Sequence, residues 1–417
     1  TKAYTKGLAG EDEFYLKTVP TLKHFCADNN EKERGSCSAN VEPRTLHEYY
    51  YRAFKGAITE GGAHSIMAAY NELSGVPAVM NPDIQNLLKD EWGLDFVVTD
   101  GGDFSQNVLS HEIVKTHAEA LAICLKNGAD SMTDPADMVA AAAHDALERK
   151  LITEADIDKA VGNVLYGRFR LGEFDEVHPY KDMGKAVDTE EFRSVNREAA
   201  MKQMCLLKND GLLPLAKDAT ALIGPMAESW YQDWYGGDPP YRRTLADGLR
   251  QQGAAFTAFD GWDRVHLCFG SMEARINPDG SVGLAEDGDV FAMECWGEDC
   301  YTFRCERTGT YLTMTLPDGP TSVEQPLAAE RKEAFNWFVL EVFHMEQRGG
   351  ETLLLNRFHW PVEVDGDVLT SGRKRTGTPV TVQLVEDGVE NAVCMAKAAP
   401  VAVVALGSHS LIPAKEE

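Results

Sequence analysis

Short apolar runs alternate with stretches of helical period through the first 172 residues of the chain. Residues 18–25 read as a strand ending on Leu22-Lys23-His24-Phe25, and a polar loop follows as far as Pro43. Residues 45–61 carry apolar and aromatic side chains at helical spacing, 63–70 form a second strand, and 82–92 a helix. The run Phe96-Val97-Val98, closed by Thr99-Asp100-Gly101-Gly102, reads as a buried parallel strand with Asp100 at its C-terminal end. Residues 117–127 are again helical, 129–132 strand-like, and 137–171 fit two helices. Repeated strand–helix units predict a parallel sheet covered by helices. The strands are too few for a complete eight-stranded (β/α) barrel, which takes about 250 residues. The stretch is therefore a small open sheet or a partial barrel of the TIM type, entered partway round.

The pattern then weakens. Residues 173–220 are charged and poorly periodic, which predicts a linker, with Asn209-Asp210-Gly211 as a turn. A second α/β unit begins at residue 221, with strands at 221–223 and from 256 and a helix at 245–252. It resumes at 389–398 (helix) and 401–407 (buried strand), so 221–262 and 389–417 form one discontinuous α/β domain. Between them, residues 263–388 show period-two strand signals separated by Gly, Asp and Pro turns. Weak self-similarity, with Asp289-Val290-Phe291 echoed at Asp367-Val368-Leu369, suggests three strand-rich repeats of about 40–50 residues. That predicts an inserted all-β domain, β-trefoil-like or a sandwich.

Composition narrows the classes. The 417 residues can bury a large core, and 44% hydrophobic with 25% charged residues is ordinary for a globular chain. No apolar run is long enough for a membrane span. A formal net charge of −26 argues against nucleic acid, which needs clustered Lys and Arg. Nine cysteines lie scattered with no C-x-x-C pair and no zinc-finger spacing, predicting mainly free thiols and no metal centre. The chain starts at Thr1 without a leader pattern, so secreted, periplasmic and cytoplasmic locations all stay open.

The candidate chemistry sits at the strand ends. On spacing alone Asp100 is equally a carboxylate for catalysis or a helix cap, and Asp103 a neighbour of it or a cap. The Lys23-His24 pair and Tyr70 end their own strands on the same face of the predicted sheet, which favours a site. Five phrases occur in order: Leu22-Lys23-His24-Phe25; Met67-Ala68-Ala69-Tyr70-Asn71 with Gly75-Val76-Pro77; Glu91-Trp92-Gly93-Leu94-Asp95; Val97-Val98-Thr99-Asp100; and Leu206-Leu207-Lys208-Asn209-Asp210-Gly211-Leu212-Leu213-Pro214-Leu215. Together they resemble glycoside hydrolase family 3, the exo-acting β-glucosidases and β-xylosidases, over about residues 1–260 and 389–417. The resemblance implies a (β/α) barrel, here lacking its beginning, followed by an α/β sandwich domain that stops short of its end, with 263–388 as an accessory insertion.

The resemblance further implies a retaining double displacement that uses two carboxyl groups and no metal or organic cofactor. It assigns the nucleophile to Asp100, sugar hydroxyl binding in subsite −1 to Lys23 and His24, and a supporting role near the nucleophile to Tyr70. Gly101 stands where many relatives carry Trp, which leaves one wall of the sugar site different. The acid/base belongs on a loop after the strand at 401–407, which puts it at Glu416, with Glu417 next; the alternative is two solvated charges at a chain end. Trp92 is expected to anchor the turn before the Asp100 strand. Trp230, Trp234 and Tyr235 suit either sugar stacking or core packing, and Trp296, Trp337 and Trp360 fit packing in the β insertion better than a binding face. The expected activity is release of terminal β-D-glucose from β-glucosides or oligosaccharides. The alternatives are β-xylosidase action on the same scaffold or a non-catalytic carbohydrate-binding relative. The partner is then a β-glycoside substrate, with neither nucleic acid nor membrane, and a homo-oligomer stays open.

Overall fold

The computed structural model describes the chain apart from residues 30–32, 217–218, 233–234, 298, 316–324, 336–338 and 408–417. It divides into two compact units, with the break after Met201.

In the first unit the strands Thr21–Phe25, Ser65–Ala68 and Phe96–Val98 pair in parallel in that order. Val98 bridges in parallel to Ser131, which extends the row by one more segment. Ile66 pairs with Leu22 on one side and Val97 on the other, so the middle strand is covered on both edges. Ile66 and Val97 are fully buried, as expected of short β-branched runs in a parallel sheet. Parallel neighbours need crossovers, and helices supply them: Tyr51–Thr59, Ile84–Lys89 (a wide, π-type turn) and His117–Lys126; Ala136–Glu148 and Glu154–Arg170 follow the last segment. Thr116 and Glu119 close a reciprocal cap at the start of His117–Lys126, whose Ala118, Leu121 and Cys124 pack with Phe104 in one buried cluster. Trp92 is buried, edge-on to Tyr51 at 6.3 Å, just before the Asp100 strand.

One buried ion pair pins this sheet. Lys89 Nζ lies 2.5 Å from Asp130 Oδ2, and the two side chains are 7% and 3% exposed. Burial pulls the Lys89 ammonium below its usual range, and Asp130 only partly offsets that. The same Asp130 carboxylate accepts from the Val97 amide at 2.7 Å and from Asn163 at 2.9 Å, tying strand to helix.

The charged stretch 173–220 contains a helix, Glu190–Gln203, with no buried residue. Phe192, Val195 and Ala199 share one face, but six charged residues surround that short stripe, so the periodicity is weak. In the second unit the strands Val401–Val404, Thr220–Ile223 and Phe256–Phe259 form a parallel sheet in that order, accompanied by the helices Leu245–Gln251 and Gly388–Ala398. Gly224 ends the central strand at φ 115°, and a Cβ there would lie 2.4 Å from the Ala405 carbonyl oxygen. Only glycine fits that approach.

Residues 263–388 build a twelve-stranded sheet of antiparallel pairs. Asp263–Phe269 pairs with Phe291–Gly297, which pairs with Cys300–Cys305, then Phe343–Arg348, then Glu351–Asn356. Thr381–Glu386 returns to Asp263–Phe269, and Leu353 bridges to Pro379, so the row closes on itself. Three hairpins lie outside the ring: Met272–Ile276 with Val282–Ala285, Thr313–Met314 with Gln325–Ala328, and Val362–Asp365 with Val368–Ser371. Phe291, Phe303, Phe343, Leu267 and Leu354 fill the common core. The ends of this domain meet, since the Gly388 amide donates to Asp263 Oδ1 at 2.8 Å. A Cβ on Gly388 would come 2.3 Å from the Gly261 carbonyl oxygen. All nine cysteines are free thiols. Among the described residues no helix is long and apolar enough to cross a membrane.

Candidate active site

The parallel strands of the first unit deliver their following residues to one edge of the sheet. Lys23 and His24 lie near the end of the first, Tyr70 follows the second, and Asp100 follows the third. His24 Nε2 stands 3.0 Å from Asp100 Oδ2, with side-chain exposures of 16% and 20%. The Gly101 amide donates to Asp100 Oδ1 at 2.7 Å, so each carboxylate oxygen has a nitrogen beside it. Burial, the largest single influence, pushes the Asp100 carboxyl up; His24, the Gly101 amide and the nearby Lys23 charge together outweigh it and hold the carboxyl below its usual range. Asp100 is therefore ionised across the neutral range. A half-buried, ionised carboxylate at a strand end is chemically a nucleophile or a charge stabiliser.

The turn that carries it is fixed from below. Thr133 Oγ1 donates to the Thr99 carbonyl at 2.8 Å, and the Thr133 amide donates to Thr99 Oγ1 at 2.8 Å. The Asp103 amide donates to the Asp100 carbonyl at 3.2 Å and opens the helix Asp103–Leu109. Gly102, at φ 76°, makes that reversal possible.

Tyr70 donates its hydroxyl to the Gly101 carbonyl at 2.7 Å, and the Arg34 guanidinium lies over its ring at 4.6 Å. The phenol thus braces the backbone next to Asp100. A cleft of about 740 Å³ opens beside this group, lined by Lys23, His24, Asp28, Tyr49, Arg52 and Phe54 among others. Its wall reaches Lys23 and His24 and does not include Asp100.

One group has no signal in the sequence, and another is visible there without its burial. His111 has a fully buried side chain that holds the Tyr70 carbonyl (2.8 Å) and Glu72 Oε1 (3.1 Å), joining the Tyr70 strand end to the segment after the Asp100 helix. Asp103, read as a neighbour or a cap, is 1% exposed, and neither of its carboxyl oxygens has a hydrogen-bond partner among the described residues. No motif spacing marks either; both depend on how the following helices pack. Glu416 and Glu417 lie outside the described residues, as do Trp234 and Trp337. Trp296 donates to Thr302 Oγ1 at 3.0 Å and meets Tyr231 edge-on at 5.4 Å, a packed position, and Trp360 lies against Phe358 at 5.4 Å. The Arg242 guanidinium covers the ring of Trp230 at 4.8 Å. No group of three or more His, Cys, Asp or Glu side chains among the described residues is arranged to hold a metal ion.

With this geometry in hand, comparison with known proteins is specific. The profile of the glycosyl hydrolase family 3 C-terminal domain matches residues 204–417. A probable exo-1,4-beta-xylosidase of Aspergillus clavatus is 36% identical over 248 residues, covering 56% of this chain and 32% of that protein. A beta-xylosidase of Formosa agariphila is 31% identical over 277 residues, covering 60% and 38%. Among solved structures, a family 3 exo-beta-xylosidase (XlnD) bound to a xylobiose aziridine probe aligns with TM-score 0.56 and 28% identity over 61% of this chain and 35% of that one. A β-glucosidase of Erythrobacter marinus aligns with TM-score 0.56 and 27% identity, over 63% and 36%. The chain spans about a third of the length of these curated relatives. These matches define a glycoside-hydrolase class. The chain belongs to glycosyl hydrolase family 3.

Proposed function

We propose that this chain is part of a retaining exo-acting β-xylosidase in which Asp100 is the nucleophile. The observation that carries the reading is Asp100 itself, with His24 Nε2 at 3.0 Å and the Gly101 amide at 2.7 Å. The choice of xyloside over the glucoside expected from sequence rests on the relatives, since those cited by name as similar in sequence are xylosidases. The β-glucosidase of similar fold keeps glucosides as the second reading.

In this proposal Asp100 attacks the anomeric carbon of the terminal sugar, and the glycosidic oxygen leaves with a proton from a second carboxyl group. Water then attacks the covalent sugar–Asp100 ester as that second group takes back a proton. The two carboxyl groups need to approach within about 5–5.5 Å. Glu416 is the proposed partner, with Glu417 next. Lys23 and His24 would hold hydroxyls of the sugar in the −1 subsite while their proximity keeps Asp100 ionised; Tyr70 would brace the Gly101 carbonyl behind it. The parallel strands of the first unit are read as an arc of a (β/α) barrel. The closed row with three outer hairpins at 263–388 is read as a β-trefoil insertion into the sandwich domain. The substrate is a β-glycoside or short oligosaccharide.

The test compares 4-nitrophenyl β-xyloside with the β-glucoside and labels the protein with a 2-fluoro xyloside. A higher kcat/KM for the xyloside and a labelled peptide containing Asp100 are expected. A label on another carboxylate overturns the nucleophile, and glucoside preference overturns the substrate.

A further inference from the structure

Directly after the nucleophile's turn the chain buries a carboxyl group that the double displacement does not use. Asp103 is 1% exposed, its amide holds the Asp100 carbonyl at 3.2 Å, and neither side-chain oxygen has a partner among the described residues. Three carboxyl groups act on it. Asp100 comes from the strand end, Asp134 from the segment past Ser131 and Asp28 from the loop after the first strand; the Cys124 thiol comes from the helix His117–Lys126. No cation is among these neighbours. An ionised carboxylate there would be an uncompensated buried charge, and such groups take up a proton instead.

We propose that Asp103 is a positioning residue of the nucleophile, carried as a neutral carboxylic acid that keeps the Asp100 turn at a single negative charge. Burial and the charges of Asp100, Asp134 and Asp28 all push its carboxyl well above the usual range. With Asp103 neutral, His24 and Lys23 act on Asp100 alone. When Asp103 loses its proton at high pH, the second charge raises the proton affinity of Asp100 and strains the turn built on its carbonyl. Packing alone could be met by Asn, which is neutral at every pH, or by an apolar residue that costs less to bury. Keeping a titratable acid beside a nucleophile is therefore a functional arrangement.

The inference deepens the glycosidase reading, and its test has one arm that needs no turnover. Asp103→Asn keeps the shape and cannot ionise. Its melting temperature in the full chain is compared with the parent from pH 4 to 9. A group whose folded pKa is raised loses stability as pH climbs from its unfolded value toward the folded one, so the parent falls behind. The Asn variant is expected to match the parent near pH 4 and exceed it by about 2–4 °C at pH 8. The second arm follows hydrolysis of 2,4-dinitrophenyl β-xyloside, whose leaving group needs no proton from the enzyme. There the parent's alkaline decline should vanish in Asp103→Asn, while Asp103→Ala loses at least tenfold at all pH values and Asn recovers most of it. A stability difference independent of pH, or identical alkaline limbs, overturns the proposal. Absent turnover would tell against the glycosidase reading, and the melting arm would still decide on the neutral acid.

Discussion

At the scale of single residues, the ionisation of Asp100 follows from His24, the Gly101 amide and Lys23 set against burial. Replacing His24 by Ala removes the group 3.0 Å from its carboxylate and leaves burial less opposed. The Asp100 pKa then rises. Because the ionised form is the proposed nucleophile, activity in the parent is expected to persist as pH falls until it passes through the depressed pKa. In His24→Ala that acid limb moves to higher pH, and kcat/KM at neutral pH drops on the order of tenfold or more. A pH–rate profile with an aryl β-xyloside checks both, and an unmoved acid limb would mean that His24 serves the sugar alone. Tyr70→Phe should be milder, because the hydroxyl holds the Gly101 carbonyl and the ring stays beneath Arg34. Loss of one neutral hydrogen bond is worth about 1 kcal/mol. A several-fold fall in kcat without a change in the acid limb is the expected readout.

Elements matter next, because the site exists only where strand ends line up. Asp130→Ala strands Lys89 in a buried place and frees the Val97 amide of the Asp100 strand. Breaking such a pair costs about 3–5 kcal/mol. Urea denaturation should show that loss, and a smaller one would mean the site admits water. Gly224→Ala should cost about 1–3 kcal/mol in the second unit, from positive φ and the Ala405 carbonyl together. The same scale explains what the chain disclosed in advance. Short apolar runs stopping at Lys23-His24, Tyr70 and Asp100 were legible because a buried parallel strand leaves no other pattern, and the period of two in 263–388 announced strands. The helix Glu190–Gln203 was illegible because it buries nothing and its short apolar stripe is diluted by charges. Asp103 read as a neighbour of Asp100 or a cap; its burial depends on the packing of the following helices, which no local spacing records. Glu416 was reached through the family resemblance alone, and it falls beyond the described residues.

For the whole molecule, the join between the sandwich strands and the β insertion carries the main prediction. The segment proposed as an insertion starts at Asp263 and ends at Gly388, and these two residues touch. Joining residue 262 to 387 through a short glycine linker should therefore leave the parallel sheet Val401–Val404, Thr220–Ile223, Phe256–Phe259 intact. Far-UV circular dichroism and limited proteolysis of the shortened chain check this; collapse of the remainder would show that the insertion supports its host. The closed row of strands has a further, mechanical consequence. Because chain entry and exit lie side by side, a force applied to the ends of the host domain runs across the 261–388 contact and bypasses the ring. In an optical-trap experiment the ring is shielded: it should stay folded, and add no length to the tether, until the parallel sheet that hosts it has given way.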